Sequence, residues 1–187
     1  DKLEESIACY NKAIELNPNH FKAYNNLGNV FQEQGKTEEA IETYKKALLI
    51  NPDYVEAYSN IGASLKSQGK LEESIKSFKK ALLINPNYAY AYNNLGNVLK
   101  DQGKREESIK SFNKALLINP DYSDAYNNLG NALKEQGKLD EAIDSFKKAV
   151  SLEPNNSVSH KNLSFAYLNK GLLQEGLHEY EWRMKTN

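Results

Sequence analysis

The sequence predicts an all-α fold, a row of about eleven helices paired as antiparallel hairpins, and three observations support it. The five prolines of the 187-residue chain stand 34 residues apart, at positions 18, 52, 86, 120 and 154. Between them, apolar residues recur at the i, i+3, i+4, i+7 spacing of one helix face. A glycine also recurs at the 34-residue spacing, in every complete copy and in the last. A fixed period of this length indicates a repeat array rather than one compact core.

The copies account for the whole chain. We number the positions of each copy so that the proline takes repeat position 32. The chain then divides into the tail of one copy (residues 1–20), four complete copies (21–54, 55–88, 89–122 and 123–156) and a nearly complete last copy (157–187). Because no residues are left over, we expect a single array over residues 1–187 and no second domain.

The first helix of each complete copy is predicted from repeat positions 4, 7, 8 and 11, as in Tyr24, Leu27, Gly28 and Phe31. A glycine at position 15 suits the end of this helix, because glycine adopts positive φ without strain. The glycine at position 8 is unfavourable inside a helix by about 1 kcal/mol relative to alanine. We therefore expect a partner helix to approach closely there.

The second helix begins with an acidic pair and carries lysines later, which complements the helix dipole at both ends. Its buried stripe is a small residue at position 20, an aromatic at position 24 and alanine at position 27, as in Ala40, Tyr44 and Ala47. The Asn-Pro pair at positions 31 and 32 disfavours further helix. We expect the Asp or Asn at position 33 to cap the next helix.

This pattern resembles the tetratricopeptide repeat, with its aromatic-Leu-Gly-aromatic first helix, Ala-aromatic-Ala second helix and closing proline. The resemblance covers essentially the whole chain. It implies a right-handed superhelical α-solenoid, whose first helices line a concave groove. Copies reading Ala-Tyr-Asn-Asn-Leu-Gly-Asn, as at 91–97, are similar to the repeats of O-linked N-acetylglucosamine transferases and their bacterial relatives. That similarity concerns the repeats alone.

The candidate binding face lies opposite the packing stripe of the first helices, at repeat positions 2, 6, 9 and 13. Position 6 is asparagine in five copies: Asn26, Asn60, Asn94, Asn128 and Asn162. Position 9 is asparagine in three: Asn29, Asn97 and Asn131. Asparagine is less favourable in a helix than alanine by about half a kcal/mol, and its amide pairs a donor with an acceptor, as a peptide unit does. The row of asparagines therefore predicts binding of extended peptide main chain. The resemblance implies the same role, because position 6 binds peptide main chain in the transferase repeats.

The asparagine row is also compatible with two origins that involve no ligand. The asparagines could form hydrogen bonds with an adjacent helix, or recent duplication could have copied them without selection. Under the binding hypothesis, specificity comes from the variable positions: Lys22, Glu33, Glu56, Tyr90, Asp101, Asp124 and Glu135. Tyr90 is our preferred side-chain contact, because the other eleven tyrosines fall on framework positions 4, 11, 24 or 34; simple surface exposure is the alternative.

Composition excludes several functions. A net charge of −1, from 24 basic and 25 acidic residues, gives no global field for nucleic acid or an anionic membrane. No apolar run approaches the roughly 20 residues of a membrane span. One cysteine excludes an internal disulfide, and the three histidines lack metal spacing or a partnered nucleophile. We predict a non-enzyme without cofactor or metal, located in the cytoplasm. His160 takes position 4, so we expect a hydrogen-bonded, half-buried imidazole there.

The ends of the chain suggest a piece of a larger protein. Residues 1–20 hold a second helix without its first, which leaves apolar residues incompletely covered and favours end-to-end association. In the last copy, Gly176 and Arg183 replace the small residues of positions 20 and 27, so we expect an irregular stacking surface. Three functions follow: a peptide- or protein-binding module, a self-assembling scaffold, or the substrate-recognition part of a larger transferase.

Overall fold

The computed structural model describes residues 2–182. This part of the chain forms eleven α-helices and no strand, which confirms the all-α prediction. The helices are α1 (Lys2–Leu16), α2 (Phe21–Glu33), α3 (Thr37–Ile50), α4 (Val55–Ser67), α5 (Leu71–Ile84), α6 (Ala89–Asp101), α7 (Arg105–Ile118), α8 (Ser123–Glu135), α9 (Leu139–Leu152), α10 (Ser157–Asn169) and α11 (Leu173–Trp182). Arg183, which the sequence placed at repeat position 27, lies outside the described residues.

The chain divides into two compact units, Asp1–Asn94 and Leu95–Asn187, with the boundary inside α6. In the first unit α2 pairs with α3 and α4 with α5, while α1 contacts α2, α3 contacts α4, and α2 also touches α4. In the second unit α8 pairs with α9 and α10 with α11, while α7 contacts α8, α9 contacts α10, and α8 also touches α10. Each unit is therefore a stack of hairpins held together by neighbouring helices.

The close approach predicted at repeat position 8 is confirmed. A Cβ atom built on Gly28 would lie 2.5 Å from Cε1 of Tyr44, and one on Gly130 would lie 2.6 Å from Cε1 of Phe146. Both rings occupy position 24 of the second helix and are buried. Glycine is thus required because the ring of the partner helix fills the space where a side chain would begin.

The turn within each hairpin also follows the prediction. The position-15 glycines have φ between 73° at Gly69 and 81° at Gly171, in the left-handed region. The capping prediction for position 33 is wrong. The residue that precedes α4 is Tyr54, and no side chain caps that helix. Instead, Oδ1 of Asn51, at position 31, accepts a hydrogen bond from the backbone N–H of Asp53 at 3.2 Å and closes the turn.

The buried face of the first helices is wider than the sequence predicted. Positions 3 and 5 are buried as well, as at Ala57 and Ser59 in α4 and at Asn25 in α2. The physical reason is that the first helices α2, α4, α8 and α10 each pack against two partners, their own second helix and a helix of the adjacent hairpin. Position 5 is therefore an interior site at Asn25 and Ser59, although the sequence assigned it to neither face.

Candidate functional site

A polar network joins α2, α3 and α4 in the first unit. The Tyr44 hydroxyl donates to Oδ1 of Asn29 at 2.8 Å. The Asn60 amide group donates to the same oxygen at 3.1 Å and to Oδ1 of Asn25 at 2.9 Å. Two predicted binding residues, Asn29 and Asn60, are therefore held by two residues that the sequence did not assign to the binding face.

The network fixes the direction of both amides. In this network both donors converge on Oδ1 of Asn29, and the Asn29 NH2 group points elsewhere. The Asn60 NH2 group donates both of its hydrogen bonds within the network, whereas the Asn60 oxygen takes no part in it. Among residues 2–182, no hydrogen bond is made by the Asn29 NH2 group or to the Asn60 oxygen. The pair thus offers one oriented donor group and one oriented acceptor.

These groups line a pocket of about 270 Å³. Its wall is formed by Asn29, Gln32, Glu33, Tyr44, Asn60, Ala63, Ser64 and Tyr90. The Ser64 hydroxyl donates to Oε1 of Gln32 at 2.6 Å and joins α2 to α4 on one side. Burial of the phenol, with smaller contributions from Tyr90 and Glu33, raises the pKa of Tyr44 above its ordinary value, so its hydroxyl stays protonated as a donor.

The other asparagines of the first unit are placed differently. Asn94 turns back along its own helix and donates to the backbone oxygen of Tyr90 at 3.0 Å. The residue that corresponds to Asn25 one copy later is Ser59, whose buried hydroxyl has no partner within the described residues. The half-buried Asn26 side chain forms no hydrogen bond in the described part of the chain.

In the second unit, an asparagine at position 6 again forms a hydrogen bond with position 5 of the preceding copy. The Asn162 amide donates to Oδ1 of Asn127 at 3.5 Å, and the Asn127 amide donates to the Ser159 hydroxyl at 2.7 Å. Asn97, Asn128 and Asn131 are half-buried on the first helices. Asparagine at position 6 therefore has a structural use in both units, in line with the alternative that these side chains bond an adjacent helix.

Sequence reasoning missed two parts of the site, the position-5 asparagines and the Tyr44 hydroxyl. A signal for the second was present, because position 24 is tyrosine in the copy at 21–54 and phenylalanine in the next three. A hydroxyl at an otherwise apolar position indicates a local hydrogen-bond partner. The Asn-Asn pairs at positions 5 and 6 carried a weaker signal.

No metal-binding arrangement was found within residues 2–182. They contain no group of three or more His, Cys, Asp or Glu side chains that could hold a metal ion. The buried His160 ring contacts the Glu179 carboxylate through Nδ1 at 2.5 Å and donates from Nε2 to the Pro154 carbonyl at 2.9 Å. It also stacks on Trp182 with 3.6 Å between ring centroids. This histidine is a satisfied packing residue, as expected, although more buried than predicted.

A search of the described helices for a membrane-crossing segment found no candidate of sufficient length and apolar character.

Models of protein families match most of the chain. Models described as "TPR repeat" match residues 1–35, 29–69, 64–103 and 96–137, and one described as "Tetratricopeptide repeat" matches residues 123–156. No curated protein gives a significant match.

Solved structures with the same fold are numerous. A structure of MamA is 28% identical over 86% of this chain and 94% of its own, with a TM-score of 0.75. PilF of Pseudomonas aeruginosa is 22% identical over 89% of this chain and 76% of its own, with a TM-score of 0.83. YrrB, described as a TPR protein with an unusual peptide-binding site, is 24% identical over 95% of this chain and 92% of its own, with a TM-score of 0.69. At their identities, the likeness to PilF and YrrB concerns the fold alone.

Proposed function

Because the chain belongs to the tetratricopeptide repeat family, we propose that it is a protein–protein interaction module that binds an extended peptide segment along its first helices. The observation that carries this proposal is the pocket in the first unit, where Asn29 presents an unpaired donor group and Asn60 an unpaired acceptor. A net charge of −1 favours a peptide over a polyanion as the ligand.

The two amides match the two polar groups of a peptide unit. The Asn29 NH2 group donates to a carbonyl of the ligand, and the Asn60 oxygen accepts from a ligand N–H. Tyr44 and Asn25 hold these side chains in place before the ligand arrives. Such preorganisation reduces the conformational entropy lost on binding. Recognition of this kind selects extended main chain and tolerates many side chains.

In the proposal, the remaining asparagines belong to the contact surface of the unit in which each lies. Asn26 supports it best, because its side chain forms no hydrogen bond within residues 2–182. The others are Asn94, Asn97, Asn128, Asn131 and Asn162. YrrB provides a precedent for a peptide-binding site on this fold, although that description belongs to YrrB.

The test begins with selection of binders from a displayed library of random peptides, followed by measurement of Kd for the selected peptide. Asn29→Asp retains the oxygens that accept from Tyr44 and Asn60 but replaces the donor group by a carboxylate oxygen. We expect about tenfold weaker binding with little change in Tm, since a buried hydrogen bond in a complex is lost. Asn113→Asp, at an exposed site on α7, is the control for the added charge and should bind normally.

Substitutions in the ligand test main-chain recognition separately. N-methylation of single residues in the selected peptide removes one N–H at a time and should abolish binding at the residue that faces Asn60. Failure to select any peptide, or equal binding of all N-methylated forms, would contradict the proposal.

A second candidate function is self-assembly with another copy of this chain. Helix α11 exposes Leu173, Leu177 and Tyr180 at the i, i+4, i+7 spacing of one face. Helix α1 has no buried residue, although it carries the apolar side chains of Ile7 and Ile14. Two such stripes in one chain favour association between copies.

The similarity of the repeats to those of glycosyltransferases stays a prediction, as does a cytoplasmic location. A role in presenting substrates to a linked transferase would use the same peptide-binding surface. It would be tested by sequencing the gene on both sides of this segment.

A further inference from the structure

We propose that the pocket between α2, α3 and α4 receives an arginine side chain of the bound peptide, held by Glu33 and Tyr90. This inference rests on the proposed function and adds a side-chain preference to it. The peptide main chain would contact Asn29 and Asn60, while the arginine would enter the part of the pocket bounded by Glu33 and Tyr90.

The charge of the pocket favours a cation. Glu33 is the only charged residue among the eight that line it, and no lysine or arginine takes part in the wall. Glu33 is exposed at the end of α2 and forms no ion pair or hydrogen bond within residues 2–182. An acidic ligand side chain would be repelled there, and an apolar one would leave the carboxylate without a partner.

The aromatic lining favours the same occupant. Tyr90 keeps 42% of its surface exposed, although it lines the pocket together with the buried ring of Tyr44. A cation over the face of a tyrosine ring is attracted by the negative face of the aromatic system. Because Tyr44 remains a neutral phenol, the negative charge of the pocket comes from Glu33 alone.

Arginine fits this combination better than lysine. Its planar guanidinium presents two parallel donors to a carboxylate and can stack on an aromatic ring at the same time. A lysine ammonium is a strongly hydrated point charge that engages one of these groups at a time. The preference should therefore follow Arg, then Lys, then neutral side chains.

The experiment uses short acetylated and amidated peptides of alanine and serine with one variable central residue, titrated into the 15N-labelled chain and followed by NMR. The central residue is arginine, lysine, citrulline, norleucine or glutamate. Citrulline is the matched probe, because it has the shape of arginine without the charge. We expect the arginine peptide to bind about tenfold more tightly than the citrulline peptide, the combined effect of one ion pair and one cation–π contact.

Variants of the chain assign this preference to the pocket. Glu33→Gln should make arginine and citrulline nearly equal, and Tyr90→Leu should reduce the arginine preference about threefold. Glu72→Gln, the same change at an exposed carboxylate on α5, should leave the preference intact. The side-chain amide signals of Asn29 and Asn60 should shift with every peptide that binds.

The outcomes separate this inference from the proposed function. Equal binding of arginine and citrulline peptides, or an unchanged preference in Glu33→Gln, would overturn the arginine site while leaving main-chain recognition standing. Loss of the arginine preference in Glu72→Gln would also overturn the arginine site, because it would reveal a general charge effect. Absence of binding by every peptide would overturn both.

Discussion

At the scale of single residues, a hydrogen bond joins repeat positions 8 and 20 in hairpins where one of these positions is serine. The Ser74 hydroxyl at position 20 donates to the backbone oxygen of Gly62 at position 8, at 2.6 Å. In the last copy the two residue types are exchanged, and the Ser164 hydroxyl donates to the backbone oxygen of Gly176 at 2.7 Å. A Cβ on Gly176 would lie 2.6 Å from Cδ2 of Leu168. Gly176 departs from the repeat pattern at position 20, and Ser164 at position 8 compensates by supplying the hydroxyl of the hydrogen bond.

The Tyr44 hydroxyl should have a measurable role in stability. Position 24 accepts phenylalanine in the next three copies, so Tyr44→Phe should fold normally. The variant loses the hydrogen bond to Asn29, and we expect the free energy of unfolding at neutral pH to fall by about 1 kcal/mol. Urea denaturation followed by circular dichroism would measure this change.

The same variant should alter the dependence of stability on alkaline pH. Burial raises the pKa of Tyr44 in the folded chain, whereas the unfolded chain loses this proton near pH 10. Above about pH 10 the unfolded state therefore binds fewer protons, and the free energy of unfolding decreases as pH rises. Tyr54, whose pKa is also raised by burial, contributes in the same direction. Tyr44→Phe should show a shallower decline than the wild type; an identical slope would contradict the assignment.

At the scale of helices, the hydrogen bond between position 6 of one copy and position 5 of the preceding copy predicts that one substitution will stabilise the fold. Ser59 is fully buried with an unpaired hydroxyl, and Asn94 bonds within its own helix. Ser59→Asn would give Asn94 a partner like the one that Asn25 provides for Asn60. We expect about 1 kcal/mol of added stability, since a buried polar atom gains a partner. Ser67→Asn, an exposed position at the end of the same helix, serves as control, and a lower Tm in Ser59→Asn would show that the site lacks room.

The docking of α11 should depend on His160. This ring joins α10 to α11 through Glu179 and Trp182, and to the preceding turn through the Pro154 carbonyl. Loss of these contacts in His160→Ala should destabilise the last hairpin by about 2 kcal/mol. Trp182 is the only tryptophan, so its fluorescence should shift to the red at lower urea concentration than in the wild type. His178→Ala, at an exposed site on α11, should have no effect.

The sequence predicted the helices and the packing residues well, because each is specified by a local signal that recurs. Gly28 and Gly35 have different roles, close approach and positive φ, and both were identified from spacing. The network around Asn29 could not be predicted in the same way. It depends on contacts between residues more than thirty positions apart, such as Asn25 and Asn60, and on whether a half-buried amide faces solvent or a neighbour. Periodicity gives the face of a helix but not the partner of an individual atom.

At the scale of the whole molecule, self-association through α11 is the remaining prediction. The second helices α3 and α9 each pack against the hairpin that follows them, whereas α11 keeps apolar side chains exposed. Its Leu173 and Leu177 are 63% and 55% exposed. A second copy of the chain can cover this face and bury apolar surface that water otherwise contacts. We expect the sedimentation coefficient to rise with protein concentration in analytical ultracentrifugation.

Matched charge substitutions distinguish association through α11 from nonspecific association through any exposed apolar residue. Leu173→Glu with Leu177→Glu should give a monomer at all concentrations, because carboxylates cannot be buried unpaired in an apolar contact. The control is Leu49→Glu with Leu83→Glu, which changes two exposed leucines on α3 and α5 and should leave association unchanged. A wild-type chain that remains monomeric at high concentration would remove self-assembly as a function. Peptide binding along the first helices would then stand alone, since it uses a different face of the repeats.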